Sequence, residues 1–202
     1  MTPSLYAEPD TLSRLDFPTP ALHSNRLIGL HGFARSGKDS VAHVLKHYGY
    51  EQIVLARPIL DALITLNPIV QADTKGRTYR FNEVLVEEGY EEAKKTLEFR
   101  RLMQVFGTEV GRGIMGDDVW LEVADKKMTV GQRYVISDVR FQNEADWIKD
   151  HGGMLVKVVR PGYGPVNAHA SDAGLPDSEF DLIIPNDGTL QDLAHRVHSD
   201  IV

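Results

Sequence analysis

The sequence predicts an α/β fold in which a mainly parallel sheet is covered by helices on both faces. Three observations predict it. Five short apolar runs alternate with stretches whose apolar residues recur at helical spacing. The runs are apolar at successive positions, as strands buried on both faces require. The first run also leads through a glycine-bearing turn straight into the first helix.

Residues 1–25 contain four of the ten prolines and show no periodicity, so they read as an extended arm, and the folded domain is expected to begin at Arg26. "RLIGLH" (26–31) reads as a buried strand. Val41, Val44, Leu45 and Tyr48 then follow helical spacing. "QIVLA" (52–56) reads as the second strand, and "PILDALITL" (58–66) as a helix with Pro58 in its first turn. Residues 67–95 are polar and irregular, with partial helix in "NEVLVEEGYEEAKK". "LEFRRLMQVFGTEVGR" (97–112) reads as one longer helix with Leu102, Val105, Phe106 and Val110 on its apolar face.

"RYVIS" (133–137) is a third strand, ending at Asp138. A helix carrying Phe141, Ala145 and Ile148 follows, stopped by Gly152 and Gly153. "MLVKVV" (154–159) and "DLIIP" (181–185) complete the five strands, and Thr189 with Asp192 suits a capping box for the last helix. Two stretches break the alternation, 67–100 and 161–180. They are the expected substrate-binding insertion and lid.

The 202 residues suit one domain with a small inserted lobe. No cysteine is present, which excludes a disulfide framework and a thiolate zinc site. The net charge of −7 argues against general nucleic-acid binding, so any anion site must be a local basic pocket. No apolar run approaches the ~20 residues of a membrane span, and the first residues lack the basic start and apolar core of a secretory signal. A soluble cytoplasmic protein without membrane partners is expected.

Gly32-Phe33-Ala34-Arg35-Ser36-Gly37-Lys38 satisfies G-x-x-x-x-G-K between an apolar strand and an amphipathic helix. Glycines at those places let successive backbone N–H groups turn inward onto a phosphate chain. The helix start adds positive potential, and Lys38 adds a point charge. Asp39 stands where the common loop has a hydroxyl, and Ser40 follows one residue late. Two readings of Asp39 stay open: a hard oxygen ligand for Mg²⁺, and a first-turn acid that complements the helix dipole.

"GFARSGKDSVA" resembles the loop of the bacteriophage deoxynucleoside monophosphate kinases, in which G-K-D is followed by Ser or Thr. "RRLMQVFGTEVGRGIMGDDVW" (100–120), "VISDVRFQNEA" (135–145), "HASD" (169–172) and "DLIIPNDGTLQDL" (181–193) resemble the same family in the same order. The similarity runs from Arg26 to the C-terminus. One departure is Asp172, where the family pattern has Glu. The resemblance implies a three-layer P-loop kinase fold, ATP with Mg²⁺ as donor, and a deoxynucleoside monophosphate as acceptor. For a phage-encoded protein it places the enzyme in the host-cell cytoplasm. It leaves the oligomeric state open, a homodimer included.

Phosphoryl transfer between two polyanions calls for cations more than for a base. Gly32, Arg35, Ser36, Gly37, Lys38, Asp39 and Ser40 are therefore candidates for ATP, with Lys38 on the terminal phosphates. Asp138 ends an apolar strand and could order the metal shell with Asp39 and Ser40, or contact the acceptor. Arg140, two residues on, and Arg160, at the start of the suspected lid, are the candidate catalytic arginines beside Lys38. Asn186 and Gly188 follow the last strand, where related kinases touch adenine, although Asn-Asp-Gly is also a plain turn.

At ~100° per residue, Arg101, Thr108 and Arg112 return to one helical stripe to within ~20°, provided the helix survives Gly107. By resemblance these three, with Gln104, Asp118 and Trp120, fall on the acceptor side; core packing is an equal reading of Trp120. Two other functions use the same loop: a kinase for another small acceptor such as dephospho-coenzyme A, and a nucleotide-dependent switch or ATPase. The latter would need a clear sensor segment or a basic oligomer-facing surface, and neither stands out.

Overall fold

The computed structural model describes residues 26–72, 77–164 and 174–202. The arm at 1–25, the "HASD" motif and much of the 161–180 stretch lie outside the described residues. The chain divides into two compact units. One is Ala56–Trp120; the other comprises residues 26–55 with Leu121–Val202.

The second unit is built on a sheet of five strands: β1 (Leu27–His31), β2 (Tyr50–Ile53), β5 (Arg133–Ile136), β6 (Met154–Val159) and β7 (Leu182–Pro185). Their order is β2-β5-β1-β6-β7, and every pairing is parallel. β1 is central and buried at all five positions. Successive side chains on a strand point to opposite faces, and the core divides accordingly. Ile28, Leu30, Val135, Val156 and Val158 pack with α1 (Lys38–His47) and α8 (Leu190–Asp200). Leu27, Tyr134, Ile136 and Leu155 pack with α7 (Gln142–Asp150) and with Leu121 and Ala124. This is the predicted three-layer arrangement. Gly29 keeps the α7 face close: a Cβ there would lie 2.4 Å from Ile148 Cδ1.

The helix terminations follow local chemistry. Thr189 Oγ1 accepts from the Asp192 N–H while the Asp192 carboxylate accepts from the Thr189 N–H, the expected capping box of α8. β2 starts earlier and ends earlier than the 52–56 run suggested. Tyr50 to Ile53 pair with Arg133 to Ile136, and the chain then leaves the sheet at Leu55, whose N–H donates to Asp138.

The first unit holds α2 (Arg57–Leu66), an antiparallel pair β3 (Ile69–Ala72) and β4 (Thr78–Arg80), α3 (Phe81–Glu88), α4 (Tyr90–Ala93) and α5 (Leu97–Val105). Its core is Ile59, Leu60, Leu63, Phe81, Val84, Leu85, Phe99 and Trp120, with the Phe81 and Phe99 rings stacked at 4.2 Å. The β3–β4 pair corrects the irregular reading of 67–95. A second correction concerns the helix read over 97–112. It is α-helical only to Val105; Phe106–Met115 is wound as a π-helix, and α6 (Val119–Asp125) follows. Bonding from i to i+5 widens each turn, so Arg101, Thr108 and Arg112 do not share the single stripe that uniform α-helical spacing implied.

Candidate active site

The loop between β1 and α1 is shaped by three residues of positive φ: Gly32 (151°), Arg35 (65°) and Gly37 (104°). Neither glycine has room for a side chain. A Cβ on Gly32 would lie 2.4 Å from the Val158 carbonyl, and one on Gly37 would lie 2.4 Å from Asn186 Nδ2. The Ser36 N–H donates to the Phe33 carbonyl at 3.1 Å and closes the turn. Lys38 folds back so that its ammonium donates to the carbonyls of Gly32 (2.6 Å) and Phe33 (2.9 Å), placing its charge over the loop. Ser36 is buried, and its hydroxyl has no hydrogen-bond partner. Asp39 is exposed in the first turn of α1, and Ser40 is half-buried behind it.

Asn186 and Arg160 reach this loop from outside it. Asn186 Nδ2 donates to the Ser36 carbonyl at 2.8 Å, while its own N–H donates to Val159 at 2.7 Å. Its side chain is thus turned to the loop backbone. Gly188 abuts the Asp192 carboxylate, which a Cβ would meet at 2.6 Å. Arg160 is exposed, reaches the Arg35 carbonyl only at 3.5 Å, and lies over the Tyr163 ring.

Two residues past β5, Asp138 accepts the Leu55 N–H at 2.8 Å. Arg140 is exposed, and its backbone is fixed by Glu144, whose carboxylate accepts the N–H groups of Arg140 (2.6 Å) and Phe141 (3.1 Å). Sequence reading missed Glu144; the signal was an acid three residues into α7, where a carboxylate satisfies amides that the helix start leaves unpaired.

It also missed His31, concealed as the last residue of an apolar run. His31 is 4 % exposed. The Val139 carbonyl can only accept, so His31 Nδ1 carries the proton in their 2.9 Å bond. Nε2 has no partner, and the ring stacks on Phe180 at 5.1 Å. Burial lowers the His31 pKa against the raising effect of that bond, and the charges of Lys157, Lys38 and Arg140 lower it further.

In the first unit, Arg112 is 9 % exposed and its Nη1 donates to the Asp117 carbonyl at 2.8 Å. Gln104 and Thr108 are half-buried, on α5 and on the π-helix. Asp118 is exposed. Arg101 is also exposed, with its guanidinium on both oxygens of Glu98 at 2.8 and 2.7 Å. An exposed pair of this kind is weak. Trp120 is buried and donates Nε1–H to the Gly107 carbonyl at 2.8 Å.

Asp39, Ser40 and Asp138 offer hard oxygen atoms. No group of three or more His, Cys, Asp or Glu suited to a metal occurs among the described residues. That donor set fits Mg²⁺, which is commonly held by one or two carboxylates together with substrate phosphates and water.

A parallel sheet whose central strand runs through a glycine-bent loop into a helix, with a lysine laid over that loop, defines a P-loop nucleotide-binding protein. The sequence comparisons narrow the class. The chain belongs to the deoxynucleotide monophosphate kinase family, whose model matches residues 70–197. It is 27 % identical to the deoxynucleotide monophosphate kinase of Enterobacteria phage T4, over 87 % of this chain and 98 % of the relative. It is 33 % identical to that of Escherichia phage RB69, over 50 % of this chain and 44 % of the relative. Among solved structures, dephospho-CoA kinase from Campylobacter jejuni aligns over 88 % of this chain and 96 % of its own, with 14 % identity and a TM-score of 0.45, too slight a likeness to bear on function. Among the described residues no helix is long and apolar enough to cross a membrane.

Proposed function

We propose that this chain transfers the γ-phosphate of ATP to a deoxynucleoside 5′-monophosphate, giving ADP and a deoxynucleoside diphosphate. The observation that carries this reading is the loop from Gly32 to Lys38, built as an anion cradle in a member of a nucleotide kinase family. An acceptor phosphate oxygen forms the new bond to the γ-phosphorus, and the bond from that phosphorus to the bridging oxygen of ADP breaks. A phosphomonoester has a second pKa near ~6, so the acceptor is largely dianionic at neutral pH and needs no protein base. The work left to the protein is to align two anions and offset their repulsion.

In this reading Lys38, Ser36 and the backbone of Gly32, Arg35 and Gly37 hold the triphosphate, with Asn186 bonded to the Ser36 carbonyl behind them and Gly188 beside the nucleotide. Mg²⁺ supplies charge neutralisation when bound, and Asp39, Ser40 and Asp138 are the residues that would hold it. Arg140 and Arg160 offset charge on the transferring group. Arg112, Thr108, Gln104, Arg101 and Asp118 take the acceptor. The enzyme works in the cytoplasm, where its nucleotides are.

A coupled assay with ATP, Mg²⁺ and a panel of monophosphates tests the reading. ADP formed only when a deoxynucleoside monophosphate is present is the expected result, with transfer nearly abolished in Lys38→Ala. ATP consumed equally well without acceptor, or activity only with a non-nucleotide acceptor, would overturn it.

A further inference from the structure

The π-helix of Phe106–Met115 is ten residues long. Such winding is rare and mostly confined to a single turn inside an α-helix. A run of this length needs something outside the helix to hold it. The first unit supplies two contacts, both at glycines. Gly107 is closed against α2, where an added Cβ would lie 2.8 Å from Ile59 Cδ1. Gly111 is closed against the Trp120 indole, where an added Cβ would lie 2.3 Å from Cζ2, 2.7 Å from Cε2 and 2.9 Å from Nε1. Only a residue without a side chain lets the ring come this close to the helix at that point.

The indole also makes a directed contact. Its Nε1–H donates to the Gly107 carbonyl at 2.8 Å, in a buried setting. In a π turn a carbonyl faces the amide five residues on, so the Gly107 carbonyl faces Arg112 and not Gly111. A carbonyl has two lone pairs and accepts a second donor without losing the first. Trp120 therefore grips the helix at the turn that carries Arg112. The guanidinium end is held too: Arg112 Nη1 donates to the Asp117 carbonyl at 2.8 Å, and the Gly116 N–H donates back to the Arg112 carbonyl at 3.2 Å. Gly116 in turn accepts the Val119 N–H at the start of α6. Backbone and guanidinium of one arginine are thus both held by the stretch between the π-helix and α6, whose Trp120 in turn holds Gly107.

We infer that Trp120 is a positioning residue for the acceptor phosphate: it holds the π-wound turn, with Gly111 as its seat, and so fixes where Arg112 points. It does not stack on the base. The inference rests on the reading above in placing Arg112 on the acceptor. A preset guanidinium meets a phosphate without the cost of ordering a long side chain, and a displacement of about 1 Å at such a contact can cost on the order of a hundredfold in rate.

The experiment is steady-state kinetics on the full chain for Trp120→Phe, Gly111→Ala, Arg112→Ala and the double variant Trp120→Phe/Arg112→Ala, with thermal unfolding of each. Trp120→Phe removes the donor and keeps an aromatic ring; Gly111→Ala leaves Trp120 in place and displaces it. Each is expected to raise KM for the deoxynucleoside monophosphate by about tenfold or more while KM for ATP stays unchanged. In the Arg112→Ala background, Trp120→Phe should add nothing, since the arginine it positions is gone. A further rise in that background, or a large change confined to one base among several acceptors, would show that Trp120 touches the nucleotide itself and would overturn the inference. So would an unchanged acceptor KM in both Trp120→Phe and Gly111→Ala when Arg112→Ala raises it; the acceptor assignment of Arg112 would then survive. If Arg112→Ala leaves the acceptor KM unchanged, that assignment fails and the inference falls with it. Should Trp120→Phe unfold, Gly111→Ala decides by the same criteria. If both unfold, amide exchange in the full chain decides, with protection across Phe106–Met115 that tightens on adding deoxynucleoside monophosphate expected, and protection indifferent to it contrary.

Discussion

Asn186, from the turn after β7, donates its side-chain amide to the carbonyl of Ser36, 150 residues earlier in the chain. The same amide nitrogen stands where any Cβ on Gly37 would go. The phosphate loop is therefore fastened from outside by one hydrogen bond and one steric contact. Asn186→Ala removes the bond, worth about 1 kcal/mol, and is expected to raise KM for ATP by roughly fivefold with the acceptor KM unchanged. Kinetics with each substrate varied in turn would check it, and an acceptor-specific defect would contradict this role.

Gly37→Ala meets two obstacles, a φ of 104° and the 2.4 Å approach to Asn186. Left-handed backbone at a non-glycine residue costs on the order of 1–3 kcal/mol. The variant should lose ATP binding in calorimetry by more than Asn186→Ala does, and adding Asn186→Ala to it should restore part of the stability.

His31 predicts a pH dependence. Its pKa in the folded state is lowered, chiefly by burial, while the unfolded chain titrates near ~6.5. The unfolded state then binds the proton more readily, so stability rises with pH. The contribution is complete above the unfolded value and is lost as pH falls from there toward the lowered folded value. Urea midpoints measured from pH 7.5 to 5.5 should fall more steeply for the native protein than for His31→Asn; equal slopes would contradict this.

Glu144 is 4 % exposed and accepts two backbone N–H groups at Arg140 and Phe141. Glu144→Ala leaves both without that partner and should destabilise the fold by about 1–3 kcal/mol. Because Arg140 sits on that turn, kcat should fall as well, whereas Glu144→Gln, which still accepts, should recover most of it.

Phe81 is fully buried, stacked on Phe99 in the core of the first unit. Phe81→Ala should cost about 3–5 kcal/mol, read as a loss in thermal unfolding. Limited proteolysis should then cut first within Ala56–Trp120.

The legible parts of this protein are the ones whose cause is local in sequence. An apolar run, G-x-x-x-x-G-K and an amphipathic helix stand next to one another, so β1, the loop and α1 could be read together. The remaining parallel strands were legible as apolar runs, apart from a shift at β2, beyond whose end the Leu55 N–H turns to Asp138 in the segment after β5. The β3–β4 pair was not legible, because its strands are only four and three residues long and are followed or preceded by polar chain. The π-helix was hidden for a different reason. Gly107 and Gly111 look like breaks in a helix, and their purpose appears only with Ile59 and Trp120 against them. Asn186 read as a candidate adenine contact or a plain turn residue, and its tie to the loop was hidden because its partner is remote. His31 passed as one more buried strand position, since periodicity carries no information about an unpartnered ring nitrogen.

β2 and β5 lie side by side, yet the whole of Ala56–Trp120 is threaded between them. Joining these neighbours from an open chain means closing a loop of roughly eighty residues, an entropic toll that grows with the logarithm of length. If the intervening segment collapses first, that loop is shortened before the strands meet. The outermost strand would then be the last to dock, so slowing the collapse of the inserted segment should delay completion of the sheet even though the altered residue lies nowhere in it.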